Sequence, residues 1–212
     1  MTAEDAYVYP GTSILRNLLG IADSERLDRV ERRLVVQRTR RGVPSGAFDL
    51  AHLRAIHRHL FQDIYEWAGK LRTVEINKSG HQFQFRRYIE AGMADVHRRL
   101  VHGSFLRGLS VPEFAQQAAV IIGDVNYVHP FREGNGRTQA QYLKQLAAQA
   151  GHNLDFARID PVAWIEASKA SHATDCDSGL AKRRRTLSPG RPNDDSMDRH
   201  SRRLSGYIVV NG

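Results

Sequence analysis

From residue 113 to residue 150 apolar side chains recur at three- and four-residue steps, except across the run His129-Pro130-Phe131-Arg132-Glu133-Gly134-Asn135-Gly136-Arg137. Phe114, Ala118, Ile121, Ile122 and Val125 form one stripe before this gap; Leu143, Leu146, Ala147 and Ala150 form another after it. Two helices with one-sided apolar faces must bury them, so the pattern predicts a core helix pair with a polar loop held between. The first helix opens on Ser110-Val111-Pro112-Glu113, a capping box with proline in the first turn. The second stops at Gly151.

The residue types in that loop suit phosphate chemistry. Gly134 and Gly136 permit positive φ and close backbone approach where a helix begins with unpaired N–H groups, which makes an anion site. Arg137, in the first turn, adds a forked cation suited to a di- or triphosphate. Glu133 is a single carboxylate of the kind that shares magnesium with phosphate oxygens and water. His129 is the group here able to take a proton near neutral pH, and Phe131 reads as the anchor of the loop. No Walker lysine motif, dinucleotide fingerprint or kinase signature accompanies them.

The rest of the chain reads mainly as helix. Residues 7–21 predict an extended arm with a Pro10-Gly11 turn entering a short apolar helix through Ile14, Leu15, Leu18 and Leu19. A second helix starts from an Asp23 or Ser24 cap with Leu27, Val30 and Leu34 inward. The third runs from an Asp49 cap through Leu53, Ile56, Leu60, Phe61, Ile64 and Trp67 to Gly69. His52, His57 and His59 on it lack a carboxylate at ligand spacing and read as packing or surface histidines. Residues 71–86 change period, with Val74 and Ile76 on one side of Lys78-Ser79-Gly80 and Phe83 and Phe85 on the other, which predicts a β-hairpin. That hairpin is either a surface loop or a flap whose unpaired edge offers hydrogen bonds to an extended partner. Ile89, Met93, Val96 and Leu100 mark a helix closing near Gly103, and Asp160-Pro161 opens a last one through Val162, Trp164 and Ile165.

A chain of 212 residues accommodates one core. Its formal charge of +8 is concentrated: residues 182–203 hold eight Lys/Arg against three Asp, leaving a net +3 elsewhere. The basic run Lys182–Arg185 is therefore read as a solvated tail and no nucleic-acid partner is expected. Cys176 is the sole cysteine, so an intrachain disulfide and a multi-thiolate zinc site are excluded. No apolar run approaches the ~20 residues that span a bilayer and no leader pattern is present, which predicts a cytoplasmic protein without a membrane partner, signal-independent export being left open. The expected organisation is a domain over residues 1–175, arm included, and a basic flexible tail over 176–212.

The run from His129 to Arg137 resembles the signature of Fic-domain proteins, H-x-F-x-[D/E]-G-N-G-R-x-x-R. Tyr7 to Gly11, the run from Phe48 through Leu60 to Gly69, and Arg72-Thr73-Val74 resemble the short bacterial toxin-type members, so the likeness extends over residues 7–172. The resemblance implies an all-α helical bundle with one β-hairpin flap and transfer of AMP from ATP to a hydroxyl side chain of a target protein. By position it implies His129 as the base, Glu133 as the Mg2+ ligand, Asn135 and the amides about Gly134 and Gly136 on the α-phosphate, and Arg137 on the phosphate tail. The target would be clamped by the flap through Thr73, Val74, Glu75, Ile76, Phe83 and Phe85.

The signature's last arginine falls at position 140, where this chain has Ala140. In the family that arginine grips the γ-phosphate; losing one such contact costs ~3 kcal/mol of transition-state stabilisation, about a hundredfold in rate. Arg86, Arg87, Arg132 and Lys144 are the cations that could replace it. The self-inhibitory stretch [S/T]-x-x-x-E-[G/N] of many members is absent, which implies a separate small antitoxin supplying that helix. Two alternatives follow from Ala140: a Fic fold that binds nucleotide or antitoxin without turnover, and an enzyme transferring a different phosphate-containing group.

Overall fold

The computed structural model describes residues 5–78, 81–154 and 210–211. Among these residues five α-helices carry the fold: α1 (Ser24–Arg40), α2 (Leu50–Phe61), α3 (Ile89–His102), α4 (Val111–Val128) and α5 (Asn135–Gln149). Two antiparallel strand pairs of two residues each join them, β1 (Asn77–Lys78) with β2 (His81–Gln82) and β3 (Asn153–Leu154) with β4 (Val210–Asn211). The all-α expectation holds.

Helix α2 lies at the centre, against α1, α3 and α5, while α4 packs on α3 and α5. Its inward residues Leu53, Ile56, Leu60 and Phe61 are each 1 % exposed or less. Burying such side chains contributes about 1.5–3 kcal/mol apiece, which makes this helix the floor on which the rest is laid. The stripes predicted for α3, α4 and α5 are buried at Met93, Leu100, Phe114, Ala118, Leu143, Leu146 and Ala147. Caps follow the sequence as well. The Asp23 side chain accepts from the Arg26 N–H and that of Asp49 from the His52 N–H. Ser110 and Glu113 close their capping box. These contacts lower the Glu113 pKa, chiefly through its hydrogen bond from the Ser110 side chain.

Three elements differ from expectation. Residues 14–21 are not helical. Tyr9 N–H donates to the Ile14 carbonyl and Arg16 N–H to that of Tyr7, making a hairpin-like arm about Pro10-Gly11. Asn17 then replaces the helical bonds, its side chain donating to the carbonyls of Leu15 and Ile21 and accepting from the amides of Leu19 and Ile21. Helix α2 ends at Phe61, short of Gly69. The chain turns at residues 62–69 and folds back, so that Arg54 Nε donates to the Gly69 carbonyl at 2.9 Å. Ile64 stays buried because tight turns of three to four residues preserve the inward spacing of the helix. The β-ladder of the hairpin is confined to Asn77–Lys78 and His81–Gln82, and Val74 and Phe85 lie outside it. The helix expected from Asp160 and almost all of the 176–212 tail lie outside the described residues. Within that tail the described residues Val210–Asn211 pair with Asn153–Leu154.

Candidate active site

The loop between α4 and α5 is fastened from three directions. Its interior is closed by Asn135, whose Oδ1 accepts from the Phe131 N–H at 3.0 Å and whose Nδ2 donates to the Phe131 carbonyl at 2.8 Å. From below, the His57 ring stacks on Phe131 with centroids 3.9 Å apart. The Gly69 N–H donates to His57 Nδ1 at 2.8 Å, so the ring proton sits on Nε2 and bonds the Glu133 carbonyl at 2.9 Å. Burial pushes the His57 pKa down to about 4, against a raising effect of the bond to Glu133, which keeps this tautomer neutral. From the side, Arg72 carries a side chain that is 0 % exposed. It donates to the carbonyls of His129, Val74 and Gln84 and to the Glu75 carboxylate. Its own N–H donates to the Pro130 carbonyl. Burial lowers the Arg72 pKa, opposed by the Glu75 carboxylate beside it. One guanidinium thus joins the flap base to the loop.

His129 caps α4 in the left-handed region at φ 46° and ψ 61°. Its Nδ1 lies 3.1 Å from the Asn126 carbonyl, which places the proton on Nδ1 and makes Nε2 the basic nitrogen. Phe83 of the hairpin stacks on its ring at 3.7 Å. Glu133 is exposed, with Oε1 accepting from the Gly134 N–H at 2.9 Å and lying 3.4 Å from Arg137 Nη2. Arg137 Nη1 lies 2.5 Å from Glu31 Oε1 on α1, and its guanidinium stands 4.8 Å over the Phe61 ring.

The glycines divide the work. Gly134 has φ +81°, and a Cβ there would meet the Phe61 ring at 2.4 Å. Gly136 has no positive φ, contrary to expectation, and a Cβ on it would meet nothing within 4 Å. The first helical bond of α5 runs from the Thr138 N–H to the Gly134 carbonyl, so the amides of Asn135, Gly136 and Arg137 have no carbonyl within the helix to bond. Bare Gly136 leaves the approach to these donors open. The Asn135 side chain, expected on the α-phosphate, is instead committed to the loop, and what it offers outward is its amide.

The predicted residues His129, Glu133, Gly134, Gly136 and Arg137 thus share one loop and helix start, with Phe83 of the hairpin against His129. The other hairpin residues have separate duties. Thr73 meets the Tyr7 hydroxyl of the arm through its N–H at 3.1 Å and its hydroxyl at 3.2 Å. Glu75 accepts from the Arg86 N–H at 3.0 Å, and the Ile76 carbonyl accepts from the Phe83 N–H at 3.2 Å. Phe85 is 49 % exposed. Ala140 follows one turn after Gly136 on α5. Of the cations considered for its place, Arg132 is paired with Asp5 at 2.7 Å, Arg86 lies 3.8 Å from Glu75, and Arg87 rests on the Tyr88 ring at 4.8 Å. Lys144 is exposed one further turn along the helix. From the sequence His57 reads only as a packing or surface histidine, and neither Arg72 nor Glu31 is given a part in the site. For Arg72 the available signal was a cation wedged between a glycine stop and a hairpin; for His57 it was a histidine one helical turn from Leu53 and Phe61 on a buried stripe.

Among the described residues no group of three or more His, Cys, Asp or Glu could hold a metal ion. A single exposed carboxylate at a helix N-terminus fits a hydrated magnesium that arrives with phosphate oxygens and does not fit a metal held by protein alone. No helix of the described residues is long and apolar enough to cross a membrane.

A histidine at the mouth of a glycine-started helix, with a carboxylate and an arginine on the same loop, is a donor set suited to phosphate, carried on a helical bundle. The chain belongs to the Fic/DOC family, whose model matches residues 47–147. It is 39 % identical over 185 residues to the probable protein adenylyltransferase y4lH of Sinorhizobium fredii, covering 87 % of this chain and 96 % of that one. It is 41 % identical over 188 residues to the protein adenylyltransferase VbhT of Bartonella schoenbuchensis, covering 87 % of this chain but only 39 % of VbhT. The N-terminal Fic domain of a VirB-translocated Bep effector protein of Bartonella quintana, solved with bound ADP, superposes with a TM-score of 0.72 at 30 % identity. That match covers 79 % of this chain and 87 % of the solved one.

Proposed function

We propose that this Fic protein is a protein adenylyltransferase that moves AMP from ATP to a hydroxyl side chain of a target protein. The observation that carries the reading is His129 with its proton on Nδ1, beside a helix start whose amides lack helical partners and whose Gly136 is bare. In this reading His129 Nε2 takes the proton of the target hydroxyl, whose oxygen attacks the α-phosphorus. A phosphoester bond forms, the bond to the β-phosphate oxygen breaks, and pyrophosphate leaves. The amides of Asn135, Gly136 and Arg137 stabilise charge on the phosphate oxygens, and the Arg137 guanidinium binds the tail. Glu133 would hold magnesium, which supplies charge neutralisation of the phosphates when bound.

The hairpin would present its edge to an extended target segment by strand addition, with Phe83 keeping the flap over His129. The likeness to toxin-type members and the missing inhibitory stretch support a toxin-like protein of the cytoplasm, restrained by an antitoxin helix from another chain.

Incubation with bacterial lysate and ATP labelled at the α-phosphate is expected to mark a target band that is lost in His129→Ala. No label at any enzyme concentration would remove the reading. Ala140, with Arg132 and Arg86 engaged by carboxylates, favours one rival, a nucleotide-binding Fic fold without turnover. Under that rival, label appears only after Ala140→Arg.

A further inference from the structure

Glu31 lies on α1, far in sequence from the motif. Its side chain is 9 % exposed, with Oε1 2.5 Å from Arg137 Nη1. The Tyr65 hydroxyl donates to Oε2 of the same carboxylate. A carboxylate in such a place costs desolvation that an apolar residue would avoid, and α1 does use apolar residues one turn to either side, at Leu27 and Val35. The partners explain the choice. Arg137 rests on Phe61, has one edge on Glu31, and reaches Glu133 at a looser 3.4 Å. A guanidinium is a rigid planar fork, so fixing one edge and one face sets the direction of its remaining donors.

We propose that Glu31 is a positioning residue for recognition of the nucleotide's phosphate tail, holding Arg137 so that its remaining N–H groups face the phosphates gathered at the start of α5. Tyr65 holds Glu31 in turn. The proposal rests on the reading of Arg137 as the tail contact and adds that its geometry is set from α1. Because position 140 brings no charge and Arg132 is paired with Asp5, the aim of Arg137 governs more of tail recognition in this chain than it would beside a second motif arginine.

The test is calorimetric binding of AMP, ADP and ATP, with magnesium, to the wild-type chain, Glu31→Gln, Tyr65→Phe, Arg137→Ala and the double variant Glu31→Gln/Arg137→Ala. Loss of a charge-assisted contact that aims the fork is expected to weaken ADP and ATP about tenfold in Glu31→Gln while AMP stays within about twofold. In the Arg137→Ala background Glu31→Gln should add nothing. Equal loss for all three nucleotides, tighter ADP and ATP, or additive losses in the double variant would overturn the proposal. A wild-type chain that binds ADP no better than AMP would overturn the parent reading of Arg137, and is seen before Glu31 is touched. Should Glu31→Gln not fold, Tyr65→Phe must show the same split between AMP and ATP, at about threefold. A uniform effect there also overturns the proposal.

Discussion

Gly134 and Gly136 stand two positions apart under different constraints. At Gly134 a side chain meets both a left-handed φ and the Phe61 ring. Gly134→Ala should lower stability by about 2–3 kcal/mol in urea denaturation, from ~1–2 kcal/mol of backbone strain and the cost of displacing Phe61. Gly136 sits in the first turn of α5 with open space before it. Gly136→Ala should raise stability by ~0.5 kcal/mol while weakening ATP binding, because the methyl occupies the approach to the amides. A variant that lost stability and kept affinity would refute that division. At Ala140 the missing cation is the testable quantity. Ala140→Arg should raise the AMP-transfer rate by about a hundredfold at little change in folding stability, measured as label incorporated per unit time.

At the scale of elements, α2 supports the loop between α4 and α5 through His57. Its folded pKa of about 4 lies below the ordinary value of 6.5, so between these pH values the unfolded chain binds the extra proton. The contribution of His57 to stability is therefore complete above about pH 6.5 and is lost as pH falls toward 4, to a total of ~3 kcal/mol. Denaturation curves across that range should flatten in His57→Gln. Arg72 ties the flap base to the loop. Arg72→Met leaves three backbone carbonyls without their donor and should cost about 3 kcal/mol or more, read as a lowered melting temperature. The helices themselves were legible because each buries one stripe, and α1, α2 and α4 carry their own side-chain caps as well. The last turn of α2 was not, since Ile64 keeps helical spacing within a tight turn. Nor was the end of the arm: its Pro10-Gly11 turn was legible, but beyond it four bonds made by Asn17 substitute for the expected helix and leave Leu18 57 % exposed. That the candidate residues of the loop share one turn and helix start could be read from residue type and order. The contacts that hold the loop could not, because His57, Arg72 and Glu31 reach it from elsewhere in the chain.

Across the whole molecule, distant segments converge on residues 129–137 and the hairpin beside them. Asp5 of the arm pairs with Arg132, Tyr7 meets Thr73 at the flap, α1 reaches Arg137 through Glu31, and α2 reaches Glu133 through His57. A loop held by so many partners is suited to electrostatic preorganisation, where donors are fixed before the substrate arrives. The most direct test of the central claim uses ATP carrying distinguishable labels on its α- and γ-phosphates, with the wild-type chain and His129→Ala. The expected result is α-label on the target protein, γ-label released as pyrophosphate, and neither transfer nor release in His129→Ala. Recovery of γ-label on the protein, or transfer undiminished in His129→Ala, would contradict it.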